Sequence, residues 1–133
     1  MQRLVEKTLL IDDSDIDLFI QRRFLEVYHF STDLQLFKSV EEALNLLRNA
    51  TVDDVPDIIF LDLNMPEADG FSFLRQFKDL PASVQSKAKI VVLTSSNSSK
   101  DRDQVFTFPN VIQFITKPLK QTDLEELSKI ITS

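Results

Sequence analysis

The chain has 133 residues, a length typical of one domain, and its 43% hydrophobic and 27% charged residues are typical of a globular protein. The net charge of −6 argues against binding nucleic acids, which depends on clustered Lys and Arg. Because the sequence has no cysteine and one histidine, disulfides, cysteine zinc sites and histidine-rich metal sites are excluded. No apolar run is as long as a membrane span and a signal peptide is not apparent, so we expect a cytoplasmic protein with no membrane partner.

Short apolar or β-branched runs alternate along the chain with segments of helical period. The runs predict strands at residues 8–11, 34–37, 57–61, 89–93 and 111–115. A fourth helix is predicted at about residues 100–108, and helices one, two, three and five have apolar stripes. These stripes are Ile16, Ile20, Phe24 and Val27; Val40, Ala43, Leu44 and Leu47; Phe71, Leu74 and Phe77; and Leu124, Leu127 and Ile131.

This fivefold alternation predicts a doubly wound α/β fold, in which helices cover both faces of a parallel sheet. The third and fourth strands are apolar without a break, as burial on both faces requires. In open sheets of this kind, ligands bind beyond the carboxyl ends of the strands, where the strand order reverses. The residues that follow the strands are therefore the candidates for function.

Polar residues follow four of the five predicted strands. Asp12 and Asp13 follow the first, Asp62 the third, Thr94 the fourth and Lys117 the fifth. Each has a simpler alternative when taken alone: an Asp-Asp pair caps helices, a single Asp lies in many loops, a Thr caps the next helix, and Lys-Pro forms turns. Their joint placement indicates a shared site, provided that the first and third strands are neighbours.

Such a site would combine three carboxylates with one ammonium group. Crowded carboxylates repel one another unless a cation lies between them, and Mg²⁺ suits oxygen ligands while it keeps several waters. Lys117 and Thr94 would suit an anion with several oxygens, such as a phosphoryl group. Asp62 is then placed to be the nucleophile that accepts the phosphoryl group as an acyl phosphate.

These motifs resemble the receiver domain of two-component response regulators, as in the single-domain chemotaxis regulator. The resemblance covers the whole chain, residues 1–133, and rests on Asp12-Asp13, "LDLNMPEADG" around Asp62, "VLTSS" with Thr94 and "FITKP" with Lys117. It implies a flavodoxin-like (βα)5 three-layer sandwich with strand order 2-1-3-4-5, and no output domain.

The resemblance also implies the chemistry at Asp62. This residue would take a phosphoryl group from a sensor histidine kinase or a phosphotransfer protein, in a reaction that needs Mg²⁺. Asp13 would bind the metal directly, Asp12 through water, and Asn64 through its backbone carbonyl.

The remaining implied roles concern the fourth and fifth strands. The hydroxyl of Thr94 and the ammonium of Lys117 would contact the phosphoryl oxygens, and the Lys117-Pro118 bond would be cis. The switch position, commonly tyrosine in the family, is Phe114, whose alternative role is simple core packing. The family's usual Ala-Gly-Ala before the fifth strand is "FPNV" (108–111) here, which leaves the end of the fourth helix open.

Partners are implied on two surfaces. The output face of helix four, strand five and helix five would contact an unknown downstream protein, and the chain would be a monomer or a weak homodimer through that face. A kinase or phosphotransfer protein would dock beside Asp62, although Ile16 and Ile20 have core packing as an alternative. The candidate docking residues are Ile16, Asp17, Ile20, Pro118 and Leu119.

Two alternatives compete with a phosphoacceptor. One is a receiver-like binding module that works without phosphate, which Phe114 leaves open. The other is a Mg²⁺-dependent phosphohydrolase of the haloacid dehalogenase type, which needs an acid two residues after its nucleophile, where Asn64 stands. We therefore expect a signalling phosphoacceptor rather than an enzyme.

Overall fold

The structure is a computed structural model that describes residues 4–65, 70–95 and 98–132. Part of the "LDLNMPEADG" motif, residues 66–69, lies outside the described residues. So do residues 96 and 97 of the loop after the fourth strand. No helix within the described ranges is long and apolar enough to cross a membrane.

The described residues form one parallel five-stranded sheet in the order β2-β1-β3-β4-β5, which confirms the predicted topology. Thr8 pairs with Ile58 across β1 and β3, so the first and third strands are neighbours. Most strands are longer than predicted, since their ends are less apolar than their centres. The strands are β1 (Val5–Ile11), β2 (Ser31–Phe37), β3 (Ile58–Asp62), β4 (Lys89–Thr94) and β5 (Val111–Thr116).

Six α-helices and one short 3₁₀-helix (Val52–Asp54) lie in the described parts of the chain, one α-helix more than predicted. The additional helix, α4, has six residues of which only Val84 is buried, so its sequence contains no apolar repeat. The predicted fourth and fifth helices are thus α5 and α6. The helices are α1 (Asp15–Val27), α2 (Val40–Arg48), α3 (Gly70–Phe77), α4 (Ala82–Lys87), α5 (Ser99–Val105) and α6 (Gln121–Thr132).

Two hydrophobic layers cover the sheet. On one side, α2 and α3 pack on residues such as Ile59 and Leu61, and the predicted stripe of α2 is fully buried. On the other side, α1 and α6 pack on residues such as Phe60 and Leu10. Every residue of β3 is buried, so the backbone that carries Asp62 is enclosed on both faces.

The predicted stripe of α1 is wrong. Ile16, Ile20 and Val27 are 71%, 50% and 56% exposed, whereas the buried residues are Leu18, Gln21 and Leu25. The buried positions are spaced by three and four residues, so they form a regular helical face. Because Gln21 in the middle of this face is polar, apolar periodicity alone does not identify it.

The "FPNV" segment forms a different entry to β5 from the family's usual one. Helix α5 ends at Val105, three residues before the predicted end. The Asn110 side chain donates hydrogen bonds to the carbonyls of Gln85 and Ala88, both at 2.7 Å, and its own carbonyl accepts from Ile90 N at 2.7 Å. The asparagine thereby ties the start of β5 to α4 and β4.

Candidate functional site

Strand pairing brings the candidate residues to one edge of the sheet. Ile11 pairs with Leu61, so the next residues, Asp12 and Asp62, lie beside each other at the carboxyl ends of β1 and β3. Thr94 pairs with Thr116 across β4 and β5, and Lys117 follows directly. The shared site that the strand ends predict is therefore present.

Three carboxylates converge at this edge. Oxygens of Asp12, Asp13 and Asp62 all lie within 4.8 Å of one another. Asp12 and Asp62 are 1% and 4% exposed, whereas Asp13 is exposed, so the cluster is open to solvent on one side. An all-oxygen set that is partly open to water fits a Mg²⁺ ion that retains water ligands.

The alternative reading of Asp12 and Asp13 as a helix cap is wrong. Ser14 is the N-cap of α1, and its side-chain oxygen accepts a hydrogen bond from Asp17 N at 3.2 Å. Asp12 Oδ1 accepts from Ser14 N at 3.0 Å, so this carboxylate is oriented by the backbone before the helix. Both aspartates therefore remain part of the carboxylate cluster.

The ammonium group of Lys117 lies among several acids. Its Nζ is 2.8 Å from Asp12 Oδ2, 2.9 Å from Asp17 Oδ2 and 3.5 Å from Asp62 Oδ1. Burial acts to lower the pKa of Lys117, but hydrogen bonds to Asp12 and Asp17 and the nearby Asp62 charge outweigh it and raise the pKa to about 12. Lys117 is therefore a fixed positive charge at neutral pH.

Asp62 is buried, and its carboxylate faces both Lys117 and the carboxylate cluster. Burial raises the pKa of Asp62, and the charge of Asp12 adds to this. A hydrogen bond from Asn64 N to Asp62 Oδ1, at 3.2 Å, and the Lys117 charge act in the opposite direction. An incoming cation would favour the ionised form, because it offsets both the desolvation and the neighbouring charge.

Thr94 lies beside the acceptor candidate and is fully buried. Its Oγ1 accepts a hydrogen bond from the Asn64 side-chain amide at 2.6 Å, and its carbonyl accepts from Lys117 N at 2.7 Å. The Lys117-Pro118 bond is cis, as the resemblance implies. The role of the Asn64 carbonyl as a metal ligand stays a prediction.

Sequence reasoning missed two contacts in the site. Gln21 is 5% exposed and its amide donates to Asp12 Oδ2 at 3.1 Å. Asp17, predicted only as a docking residue, contacts Lys117 directly. The available signal was spacing: residues 17 and 21 lie one helical turn apart, and Gln21 falls between Leu18 and Leu25.

Gly70, which is the only glycine in the sequence, permits a close approach at the site. A Cβ at this position would lie 2.9 Å from both the Asp62 carbonyl oxygen and Leu63 Cα. Gly70 N also donates to the Leu63 carbonyl at 3.2 Å. Helix α3 can therefore begin directly against the backbone that carries Asp62.

Phe114 is 9% exposed and packs in the core layer beneath α5. The guanidinium of Arg102 lies 6.0 Å from its ring centroid and 5.7 Å from that of Phe106, which is 41% exposed. The output face predicted from helix four, strand five and helix five corresponds to α5, β5 and α6. A switching role for Phe114 stays a prediction.

The candidate docking residues differ in how far they are exposed to solvent. Ile16 and Ile20 are exposed, which excludes their alternative role in the core, and Pro118 is exposed as well. Leu119 is only 8% exposed and belongs to the core layer under α1 and α6, so it offers little surface, and its docking role stays a prediction. Leu119 lines a cavity of about 70 Å³ together with Asp17 and Ile20.

Comparisons with known proteins agree with this geometry. The family model "Response regulator receiver domain" matches residues 8–129. The hybrid signal transduction histidine kinase L of Dictyostelium discoideum is 30% identical over 96% of this chain, which covers 7% of that protein. The sensor histidine kinase CheAY of Helicobacter pylori is 32% identical over 83% of this chain, or 13% of its own length. The chain thus spans a small part of both relatives.

Solved structures of similar length match almost the whole chain. A response regulator receiver protein from Dyadobacter fermentans is 32% identical with a TM-score of 0.85, and 96% of this chain aligns with 98% of that one. A two-component response regulator from Cytophaga hutchinsonii is 28% identical with a TM-score of 0.87, covering 98% of both chains. On its sequence, fold and carboxylate cluster, the chain belongs to the response regulator receiver domain family.

Proposed function

We propose that the protein accepts a phosphoryl group on Asp62 from a phosphohistidine of a sensor kinase or phosphotransfer protein. The observation that supports this most is the position of Asp62 between two different charges. Its carboxylate lies within 4.8 Å of those of Asp12 and Asp13, and its Oδ1 lies 3.5 Å from Lys117 Nζ. Phosphoryl transfer depends mainly on positioning and on charge stabilisation, which this arrangement offers.

Asp12, Asp13 and Asp62, with the carbonyl of Asn64, would hold Mg²⁺. When bound, the ion supplies charge stabilisation for the oxygens of the transferred group. The contacts of Asp12 with protein donors support different roles for Asp12 and Asp13 in holding the metal. Since its Oδ1 accepts from Ser14 N and its Oδ2 from Gln21 and Lys117, Asp12 suits the water-mediated role better than Asp13 does.

In the transfer itself, an oxygen of the ionised Asp62 attacks phosphorus. The P–N bond of the phosphohistidine breaks, and its electron pair leaves with the imidazole. The product is an acyl phosphate, which adds about −1.5 to −2 charges and new acceptor oxygens at the site. Lys117 and the hydroxyl of Thr94 are the neighbouring donors to these oxygens, and Thr94 would have to exchange its present contact with Asn64.

The donor protein would dock on the exposed side of α1, next to the loop at Lys117. Ile16 and Ile20 offer exposed apolar surface there, and Phe19, 69% exposed, extends it. An exposed apolar cluster of this kind marks protein interaction surfaces more often than it serves stability. The signal would leave through the face of α5, β5 and α6, where Phe114 lies under Arg102.

The direct test is phosphorylation by acetyl phosphate with Mg²⁺, followed by intact mass spectrometry. We expect the mass of one phosphoryl group on the wild type and none on Asp62→Asn. Asp33→Asn, which removes an exposed acid from β2, is the matched control and should react like the wild type. An unmodified wild type would instead favour the phosphate-independent binding module, and multiple turnover of phosphate esters would favour a phosphohydrolase.

A further inference from the structure

One acid that contacts Lys117 belongs to neither strand end. Asp17 lies in the first turn of α1, and its Oδ2 is 2.9 Å from Lys117 Nζ. The ammonium is thus closer to this helix residue than to Asp62, whose Oδ1 is 3.5 Å away. Asp12, at the end of β1, is 2.8 Å from the same ammonium, so Asp17 is the contact that holds the lysine toward α1.

This arrangement differs from the one that a phosphorylated Asp62 requires. An ammonium group has three N–H donors, and the phosphoryl group would bring strong new acceptors and extra negative charge. If Lys117 turns to these oxygens, one of its present contacts must weaken. The side chain of Asp17 is 38% exposed while Asp12 is 1% exposed, so water can replace the lysine at Asp17 at the smaller cost.

We propose that Asp17 is a positioning residue that holds Lys117 toward α1 before phosphorylation and releases it afterwards. The inference rests on the proposed function, since it assumes that a phosphoryl group is bound at Asp62. Two effects of opposite sign follow. The contact stabilises the metal-free protein, whereas it opposes the binding of a phosphoryl group because the contact must be given up.

The test compares Asp17→Asn with Asp15→Asn. Both substitutions remove one negative charge from the first turn of α1, but Asp15 contacts Lys38, at 3.1 Å, rather than Lys117. The probe is beryllium fluoride, a phosphoryl analogue, titrated at saturating Mg²⁺ and followed by ¹⁹F NMR. Because the metal is saturating, a change in Mg²⁺ affinity does not enter the comparison.

We expect Asp17→Asn to lower the beryllium fluoride concentration for half-saturation about two- to fivefold, the scale of a partly exposed ion pair. The same variant should unfold at a lower urea concentration than the wild type in the metal-free state. Asp15→Asn should leave the beryllium fluoride titration unchanged. A purely structural role for Asp17 would not produce tighter analogue binding together with lower stability.

Equal or weaker analogue binding by Asp17→Asn would overturn the inference and leave the phosphoacceptor proposal intact, provided that the wild type binds. An equal gain in Asp15→Asn would also overturn it, because the effect would then come from net charge. No binding by the wild type would contradict the proposed function itself, and the inference would fall with it.

Discussion

Replacing Lys117 with methionine would remove the ammonium group that contacts Asp12, Asp17 and Asp62 while keeping a side chain of similar length. The raised pKa of Lys117 gives the size of the expected loss of stability. A shift from 10.5 to about 12 corresponds to about 2 kcal/mol of extra stability for the charged lysine in the folded protein. For a chain of this length, that loss should lower the melting temperature by about 6–10 °C.

The pH dependence of this loss follows from the direction of the shift. Since the folded protein holds the Lys117 proton more tightly than the unfolded chain, the contribution is complete below pH 10.5 and disappears as the pH rises through 12. The assay is urea unfolding of the wild type and Lys117→Met without metal, at pH 7, 9 and 11.5. The difference in the free energy of unfolding between the wild type and Lys117→Met should be equal at pH 7 and 9 and smaller at pH 11.5.

Lys87→Met is a suitable control, because Lys87 is 3.9 Å from Asp57 in a half-exposed pair far along the sheet from the site. The Lys87→Met substitution should change the free energy of unfolding little at any of these pH values. Equal stability of Lys117→Met and the wild type at pH 7 would refute the reasoning, since the acids would then not depend on this ammonium group.

Three further predictions concern the packing and charge around the acceptor and the buried face of α1. Gly70→Ala would place a Cβ 2.9 Å from the Asp62 carbonyl oxygen, so urea unfolding should show a loss of about 1–3 kcal/mol and acetyl phosphate should react more slowly. Asp62→Asn should raise the melting temperature at pH 7 in EDTA. Burial raises the pKa of Asp62, so the ionised acid destabilises the folded protein above that pKa. The increase in melting temperature should therefore shrink as the pH falls toward 3.8. On α1, Leu25→Ala should cost about 2–5 kcal/mol in urea unfolding and Ile16→Ala less than about 0.5 kcal/mol, and the opposite order would contradict the face assigned to this helix.

The centre of the sheet could be predicted from the sequence because β3 and β4 are buried on both faces and are almost entirely apolar. The run that ends at Asp62 is buried at every position, so no polar residue obscures it. Helix α1 shows why the same method fails elsewhere. Ile16 and Ile20 satisfy a helical spacing but are exposed, while Gln21 occupies a core-facing position. Apolar periodicity cannot separate a core face from an interaction face when both lie on one helix.

The strand-end residues could also be predicted, since the carboxyl ends of neighbouring parallel strands meet at one edge. The contacts among them could not. That Lys117 lies nearer to Asp17 than to Asp62 depends on where α1 packs on the sheet relative to the carboxyl end of β5, and no local spacing encodes that distance. The bond from the Asn64 amide to Thr94 likewise joins residues 30 positions apart in the chain.

We infer that the acids at the ends of β1 and β3 form one acceptor site and that the acceptor among them is Asp62. Borohydride reduction of the acetyl phosphate-treated protein, followed by peptide mass spectrometry, identifies the phosphorylated residue because an aspartyl phosphate is converted to homoserine. We expect homoserine at position 62 and unmodified aspartate at positions 12, 13 and 17. Homoserine at one of those three positions, or at none, would contradict this inference.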